Sequence, residues 1–199
     1  MKVIGLTGQS GAGKGMISEY FAKKDFPHID CDKVYHSLLI PNSDCTKELS
    51  MRFGCDILTE DGAVDRKKLV EIVFGENSKN NLTDLNSITH KYVLDECRGL
   101  IKRYRDAGEK AVIVDAPTLF ESGFDKECDI IIAVTAPEKS RLARIMARDD
   151  ISAEKAMARI KSQPSEDFYT RRADYIIENS SDIKALSSQL EKFILEKLN

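Results

Sequence analysis

The sequence predicts an α/β fold, a doubly wound parallel sheet of five strands with helices on both faces. An apolar strand at about residues 2–7 runs into a glycine-rich loop and then into an amphipathic helix. Two later runs, at 111–115 and 130–134, are continuously apolar, as strands covered on both faces are. Strands alternate with helices along the chain, and this order builds parallel sheets with crossover helices.

The first half of the core contains two strands, each followed by a helix. The helix after the first strand covers about residues 14–24, with Ile17 towards the sheet and Ser18 towards water. A second strand at about 26–30 leads into a helix that ends before Pro41. These elements place the glycine-rich loop at the carboxyl end of the first strand.

The 199 residues suit a single compact domain with added helical parts. A helical insert follows the second helix, and Asp65 is the expected N-cap of one of its helices. A basic helical lid follows the fourth strand, and a last strand and an amphipathic helix complete the core. The expected ranges are 1–43, 108–137 and 173–199 for the core, 44–107 for the insert and 138–172 for the lid. Turns within the insert are expected at 53–54, 60–62 and 74–77.

Composition excludes several classes of protein. With 30 basic against 33 acidic residues, the net charge of −3 does not favour a general nucleic-acid binder. The five cysteines are scattered without a CxxC pair, so they are expected to be reduced thiols and neither disulfides nor zinc ligands. No apolar run is long enough to cross a membrane, and the first strand leaves no room for a signal peptide. We therefore expect a cytoplasmic protein.

Residues 8–15 have the pattern of a phosphate-binding loop, called here the phosphate loop. Its residues are Gly8, Gln9, Ser10, Gly11, Ala12, Gly13, Lys14 and Gly15. Glycines let successive backbone N–H groups converge on a phosphate, with the positive end of a helix dipole behind them. Lys14 adds a charge for the outer phosphates, whereas Gly15 stands where Ser or Thr usually offers a hydroxyl to Mg²⁺. The loop predicts a P-loop fold that binds a nucleoside triphosphate, and it leaves the metal ligand open.

Two carboxylates follow the second strand, at the edge of the sheet where ligands bind in open α/β folds. Asp30 and Asp32 could each cap the next helix, or accept the proton of an attacking hydroxyl in phosphoryl transfer. We favour Asp30 as the cap, whereas the preference for Asp32 as the general base depends mainly on the family resemblance described below.

Asp115 ends the third strand, where an acidic residue could hold Mg²⁺ directly or through water. The alternative is that Asp115 caps the turn at Pro117. The sequence alone leaves both open.

The lid contains arginines that could contact the triphosphate. Arg144 and Arg148 are four residues apart and share one helix face, which Arg141 shares less well. The alternative is a solvated charged face balanced by acidic neighbours such as Asp149. His90, in the insert, has no nearby base or metal partner in the sequence and would at most line a substrate pocket.

Several motifs, in the same order along nearly the whole chain, resemble the dephospho-coenzyme A kinase family. The family phosphorylates the ribose 3′-hydroxyl of dephospho-CoA with ATP. The matching residues are 4–8 with the phosphate loop, 29–32, 61–66 with Leu69 and 73–74, 85–90, 115–121, Arg144, 148–149, 159–160, Gln163, 173–174 and 177–179.

The resemblance implies roles for residues around the nucleotide. Asp32 would be the general base and Lys14 would contact the phosphates. Arg144 would be a catalytic lid residue, and Arg148 would also contact the triphosphate. Asn179 would lie near the adenine. ATP would be bound with Mg²⁺.

The resemblance also implies an acceptor site for dephospho-CoA. The insert, with Arg66 and His90, would bind the CoA moiety, and Leu119 and Glu121 of the 115–121 motif would line the substrate site. The expected partners are therefore ATP and dephospho-CoA, with no nucleic acid and no membrane. The sequence does not indicate an oligomeric state.

Departures from the family pattern keep other interpretations open. The family usually has Ser-Thr where this chain has Gly15-Met16, and Pro where it has Lys91. The first alternative is another small-molecule or nucleotide kinase of the same fold. The second is a relative that binds ATP or CoA without turnover.

Overall fold

A five-stranded parallel sheet organises the core, which confirms the predicted fold class. The structure is a computed structural model that describes residues 1–75, 80–180 and 182–198. The strand order is β2-β3-β1-β4-β5, so the first strand is central. The strands are β1 (Lys2–Gly8), β2 (His28–Asp30), β3 (Ala111–Asp115), β4 (Ile130–Thr135) and β5 (Tyr175–Glu178).

Nine α-helices lie within the described residues. They are α1 (Lys14–Ala22), α2 (Cys31–Ser37), α3 (Asp44–Phe53), α4 (Arg66–Val73), α5 (Asn81–Asp106), α6 (Glu138–Asp149), α7 (Ala153–Lys161), α8 (Glu166–Thr170) and α9 (Ile183–Lys197). The segment expected as a basic lid thus consists of three helices. Of the turn expected at 74–77, Glu76 and Asn77 lie outside the described residues.

Both faces of the central strand β1 are packed against other parts of the core. Ile4 and Leu6 are fully buried in a cluster that also contains residues of α1 and α9. A Cβ at Gly5 would point to the opposite face, where the Leu119 side chain occupies the space that it would need. Both faces of the strand are therefore covered, as its apolar sequence predicts.

Two of the predicted helix caps are present. The Asp30 carboxylate accepts a hydrogen bond of 3.0 Å from the Lys33 N–H at the start of α2. Asp65 accepts hydrogen bonds from the backbone N–H groups of Lys67 and Lys68 at the start of α4. Both residues satisfy N–H groups that have no partner within their own helix.

The chain divides into two compact units, Met1–Ile29 with Ile101–Asn199, and Asp30–Leu100. The first contains most of the sheet. The second has its own apolar cluster, whose fully buried members include Leu49 and Ile57. In the described parts of the chain no helix is both long and apolar enough to cross a membrane.

Candidate active site

The phosphate loop has backbone geometry that only glycine adopts easily. Gly8 and Gly13 have φ angles of 137° and 99°. A Cβ at Gly8 would lie 2.3 Å from the Val134 carbonyl oxygen, and one at Gly13 would lie 2.1 Å from Asn179 Nδ2. The Lys14 ammonium donates a 3.0 Å hydrogen bond to the Gly8 carbonyl, so its side chain folds back over the loop. The glycines are therefore required by close contacts as well as by backbone conformation.

Arg144 and Asn179 hold the carbonyl side of the phosphate loop. Arg144 Nη1 donates to the carbonyl oxygens of Gly11 and Ala12, at 3.1 and 3.2 Å. Asn179 Nδ2 donates to the same Ala12 carbonyl at 2.9 Å. Arg144 Nη2 also donates to the side-chain and backbone oxygens of Asn179, at 3.2 and 3.3 Å. Since these contacts engage carbonyl groups, they fix the loop without using its N–H groups.

A second contact holds the beginning of the loop. Gln9 Nε2 donates a 2.8 Å hydrogen bond to the Pro164 carbonyl, and the Ser10 N–H donates one of 2.8 Å to Gln163 Oε1. Both partners lie in the turn between α7 and α8. The loop is therefore held from two sides by segments that follow it by more than a hundred residues.

Ser18 faces the sheet, so the expectation that it faces water is wrong. It is 5% exposed, and its hydroxyl donates a 3.4 Å hydrogen bond to Oδ2 of Asp115 at the end of β3. The reason is that α1 packs against β3 as well as β1, which widens its buried face beyond the stripe that contains Ile17. A hydroxyl therefore lies beside the carboxylate expected at the metal.

These residues fit Mg²⁺ delivered with a nucleotide. No cluster of three or more His, Cys, Asp or Glu residues suited to a metal occurs among the described residues. Mg²⁺ in kinase sites is typically held by one or two carboxylates, water and substrate phosphates, and not by a cage of protein ligands. The Asp115 carboxylate next to the Ser18 hydroxyl has this limited set of oxygen donors.

Arg148 is engaged by an acidic neighbour. Its Nε and Nη2 donate to the two oxygens of Asp149 at 2.8 and 3.0 Å, and Arg159 donates to the same carboxylate. The hydrogen bond from Arg148 is the main cause that keeps the pKa of Asp149 below its usual value. The balanced charged face that the sequence left open is thus present around Arg148.

Comparison with known proteins decides the family. The sequence model of the family described as Dephospho-CoA kinase matches residues 2–185. A dephospho-CoA kinase from Fusobacterium nucleatum is 40% identical over 191 residues, which cover 96% of each chain. The chain belongs to the dephospho-CoA kinase family. The family that the sequence motifs predict and the enzyme class, a kinase, are both confirmed.

Solved structures agree with membership of the dephospho-CoA kinase family. The dephospho-CoA kinase from Campylobacter jejuni matches with a TM-score of 0.73 and 28% identity, covering 98% of this chain and 96% of its own. The protein TT1252 from Thermus thermophilus matches with a TM-score of 0.81 and 26% identity, covering 100% and 98%. The similarity therefore extends over the whole fold.

Three residues that the dephospho-CoA kinase pattern marks lie in the unit formed by residues 30–100. Asp32 is exposed in the first turn of α2, and Arg66 is the exposed first residue of α4. His90 lies on α5 and is half-buried, and its burial lowers its pKa. Their roles in a dephospho-CoA kinase stay predictions.

Leu119 and Glu121 lie in different environments. Leu119 is fully buried against Gly5, so its side chain belongs to the core. Glu121 is exposed and influences Tyr169, whose pKa is raised to about 12, mainly by burial and further by this carboxylate. Their roles in substrate binding stay predictions.

Ser18 and Gln163, which have contacts at this site, and Arg141, whose backbone packs on the phosphate loop, were not predicted from the sequence. Ser18 was assigned to the wrong side of α1, and Gln163 belonged to a matching motif without a role. Arg141 was noted only as a poor fit to the exposed face of α6. That poor fit was the available signal, since a residue off the exposed face of an amphipathic helix points inwards.

Proposed function

We propose that this protein transfers the γ-phosphoryl group of ATP to the ribose 3′-hydroxyl of dephospho-CoA, giving CoA and ADP. The family match over residues 2–185 is the observation that carries the proposal. The phosphate loop supports it, because its glycine geometry and Lys14 suit a triphosphate. ATP and dephospho-CoA are thus the proposed substrates.

The phosphate loop binds ATP in a conformation that is already fixed. The N–H groups of the loop that are not already bonded within the protein attract the phosphates, together with the N-terminus of α1. Lys14 moves its ammonium from the Gly8 carbonyl to an outer phosphate oxygen. Arg144 acts through the loop, since its donors contact Gly11 and Ala12. We therefore assign Arg144 a positioning role, which differs from the direct contact with phosphate that the resemblance implies.

Asp32 is the proposed general base. Its carboxylate accepts the proton of the 3′-hydroxyl while the hydroxyl oxygen forms a bond to the γ-phosphorus. The bond from that phosphorus to the β,γ-bridging oxygen breaks, and ADP leaves with the electron pair. Asp32 suits this role because it is exposed and because Asp30, and not Asp32, caps α2.

Three further roles complete the proposed nucleotide site. Asp115, supported by the Ser18 hydroxyl, would hold Mg²⁺ directly or through water. Bound Mg²⁺ would neutralise charge on the phosphates. Arg148 exchanges part of its contact with Asp149 for the triphosphate, and Asn179 lies near the adenine.

The proposed function is tested by measuring ADP release with ATP and Mg²⁺, comparing dephospho-CoA with adenosine, AMP and pantetheine phosphate. Turnover with dephospho-CoA alone is expected. Absence of turnover with every acceptor, in protein that still binds ATP, would overturn the proposal and indicate a binder without activity.

The base is tested with Asp32→Ala, for which kcat falls by at least about a hundredfold while ATP binding is unchanged. Asp30→Ala is the matched control, because it removes a neighbouring carboxylate that caps α2. Its expected effect is lower stability with turnover retained. An Asp32→Ala variant with the kcat of the original protein would exclude Asp32 as the base.

A further inference from the structure

Arg141 is a buried cation beside the phosphate loop. The residue is only 4% exposed to solvent. Its Nε and Nη1 atoms are buried and have no hydrogen-bond partner among the described residues. Arginine stays charged throughout the accessible pH range, so protonation changes cannot relieve this burial. Buried charges are normally paired, so this guanidinium requires an anion.

Arg141 lines a cavity of about 420 Å³. Gln9 of the phosphate loop, Arg141, Lys161 and Gln163 are among the residues that line it. The backbone of Arg141 packs on the loop, since a Cβ at Gly11 would lie 2.7 Å from the Arg141 carbonyl oxygen. The cavity therefore borders the loop and has room for a phosphate group.

The other arginines of the 138–172 segment already have partners. Arg144 donates to loop carbonyls, and Arg148 and Arg159 donate to Asp149. Arg171 donates to Asp167, and Arg172 stacks on the ring of Phe168 at 4.1 Å. Within this described segment, Arg141 is thus the arginine with two buried guanidinium nitrogens, Nε and Nη1, that have no hydrogen-bond partner.

An internal carboxylate is the competing explanation. Glu138 and Glu166 also line the cavity, and both Glu121 and Arg141 act on the pKa of Tyr169, in opposite directions. No hydrogen bond or ion pair joins any of these three carboxylates to Arg141 in the structure. A rearrangement that formed such a pair would make Arg141 a structural cation. Replacing Arg141 would then lower the stability of the ligand-free protein.

We propose that Arg141 binds a phosphate group of a substrate in this cavity and is a substrate-binding residue for the phosphoryl transfer. The inference rests on the proposed function. The phosphate comes from ATP or from the diphosphate of dephospho-CoA, which share the same oxyanion chemistry.

The test compares Arg141→Gln and Arg141→Lys with Arg171→Gln, which removes an exposed arginine of the same segment. Dissociation constants are measured separately for ATP and for dephospho-CoA. Arg141→Gln weakens one of them by about 10- to 100-fold, the range for hydrogen bonds to a charged group. Arg141→Lys recovers part of the loss, because it restores the charge without the planar donors. Arg171→Gln binds both substrates normally.

Thermal unfolding separates a binding role from a structural one. Without ligand, Arg141→Gln is at least as stable as the original protein, because a neutral amide is cheaper to bury than an unpaired charge. The rise in Tm that the affected substrate produces is smaller in the variant.

Each outcome decides the inference. Weaker binding of ATP assigns the phosphate to the nucleotide, and weaker binding of dephospho-CoA assigns it to the acceptor. Unchanged affinities for both would overturn the inference, and a lower ligand-free Tm in that case would show an internal ion pair. These binding measurements need no turnover, so failure of the proposed function would be seen separately, in the ADP-release assay. If Arg141→Gln does not fold, Arg141→Lys provides the same readouts.

Discussion

Asn179→Ala is expected to destabilise the phosphate loop and with it the whole protein. The side chain is 1% exposed, donates to Ala12, and accepts from Arg144. Truncation removes both hydrogen bonds and leaves a small cavity. Ala12 keeps its hydrogen bond from Arg144 Nη1, and Arg144 Nη2 keeps the Asn179 backbone oxygen. The penalty for unsatisfied groups is therefore small.

The magnitude follows from the two lost bonds. The neutral bond to Ala12 contributes about 1 kcal/mol, and the bond from the charged Arg144 contributes about 1.5–2 kcal/mol. Asn179→Ala should therefore lower the free energy of unfolding by about 2.5–3 kcal/mol. In a chain of this length the corresponding decrease in Tm is about 5–12 °C.

The assay combines thermal unfolding with dissociation constants for ATP and GTP. If Asn179 acts through the loop, affinity falls for both nucleotides, because they share the triphosphate. If it contacts the adenine, selectivity for ATP over GTP falls instead. A Tm within about 1 °C of the original protein would refute the reasoning, since it would mean that these two bonds contribute almost nothing.

Two further predictions concern Mg²⁺ and pH. Gly15→Ser fits without strain, because nothing lies within 4 Å of an added Cβ. Its hydroxyl should lower the Mg²⁺ concentration for half-maximal ATP binding about fivefold, equivalent to about 1 kcal/mol, and an unchanged Mg²⁺ titration would contradict this. Burial lowers the pKa of His90 from 6.5, so the unfolded chain binds the proton more tightly. Stability should fall as pH decreases through about 6.5, and urea unfolding of His90→Gln should show a smaller fall.

The core could be predicted from sequence because its signals are local. Continuous apolar runs identified β3 and β4, and the loop glycines identified the turn between β1 and α1. Asp65 was recognisable as a cap because a capping side chain bonds to N–H groups two or three residues ahead.

The contacts of the site could not be predicted, because they join distant segments. The sequence marks Arg144 as a phosphate ligand, but only the fold shows that its donors contact Gly11 and Ala12. Periodicity placed Ser18 in water, since a helix pattern does not show which strands the helix covers. The role of Asp32 could not be predicted from local sequence either. An exposed carboxylate in the first turn of a helix has the same local pattern whether it caps the helix or acts as a base.

The contacts of the phosphate loop have a consequence for synthesis of the chain. The residues that hold Ser10 and Ala12 follow them by 153, 132 and 167 positions, at Gln163, Arg144 and Asn179. The strands beside β1 are also made long after it. A chain still on the ribosome cannot complete this set of contacts until residue 179 has emerged, although domains otherwise begin to fold from the N-terminus. The contacts that hold the loop are therefore completed only after the 167 positions that separate Asn179 from Ala12 have been translated.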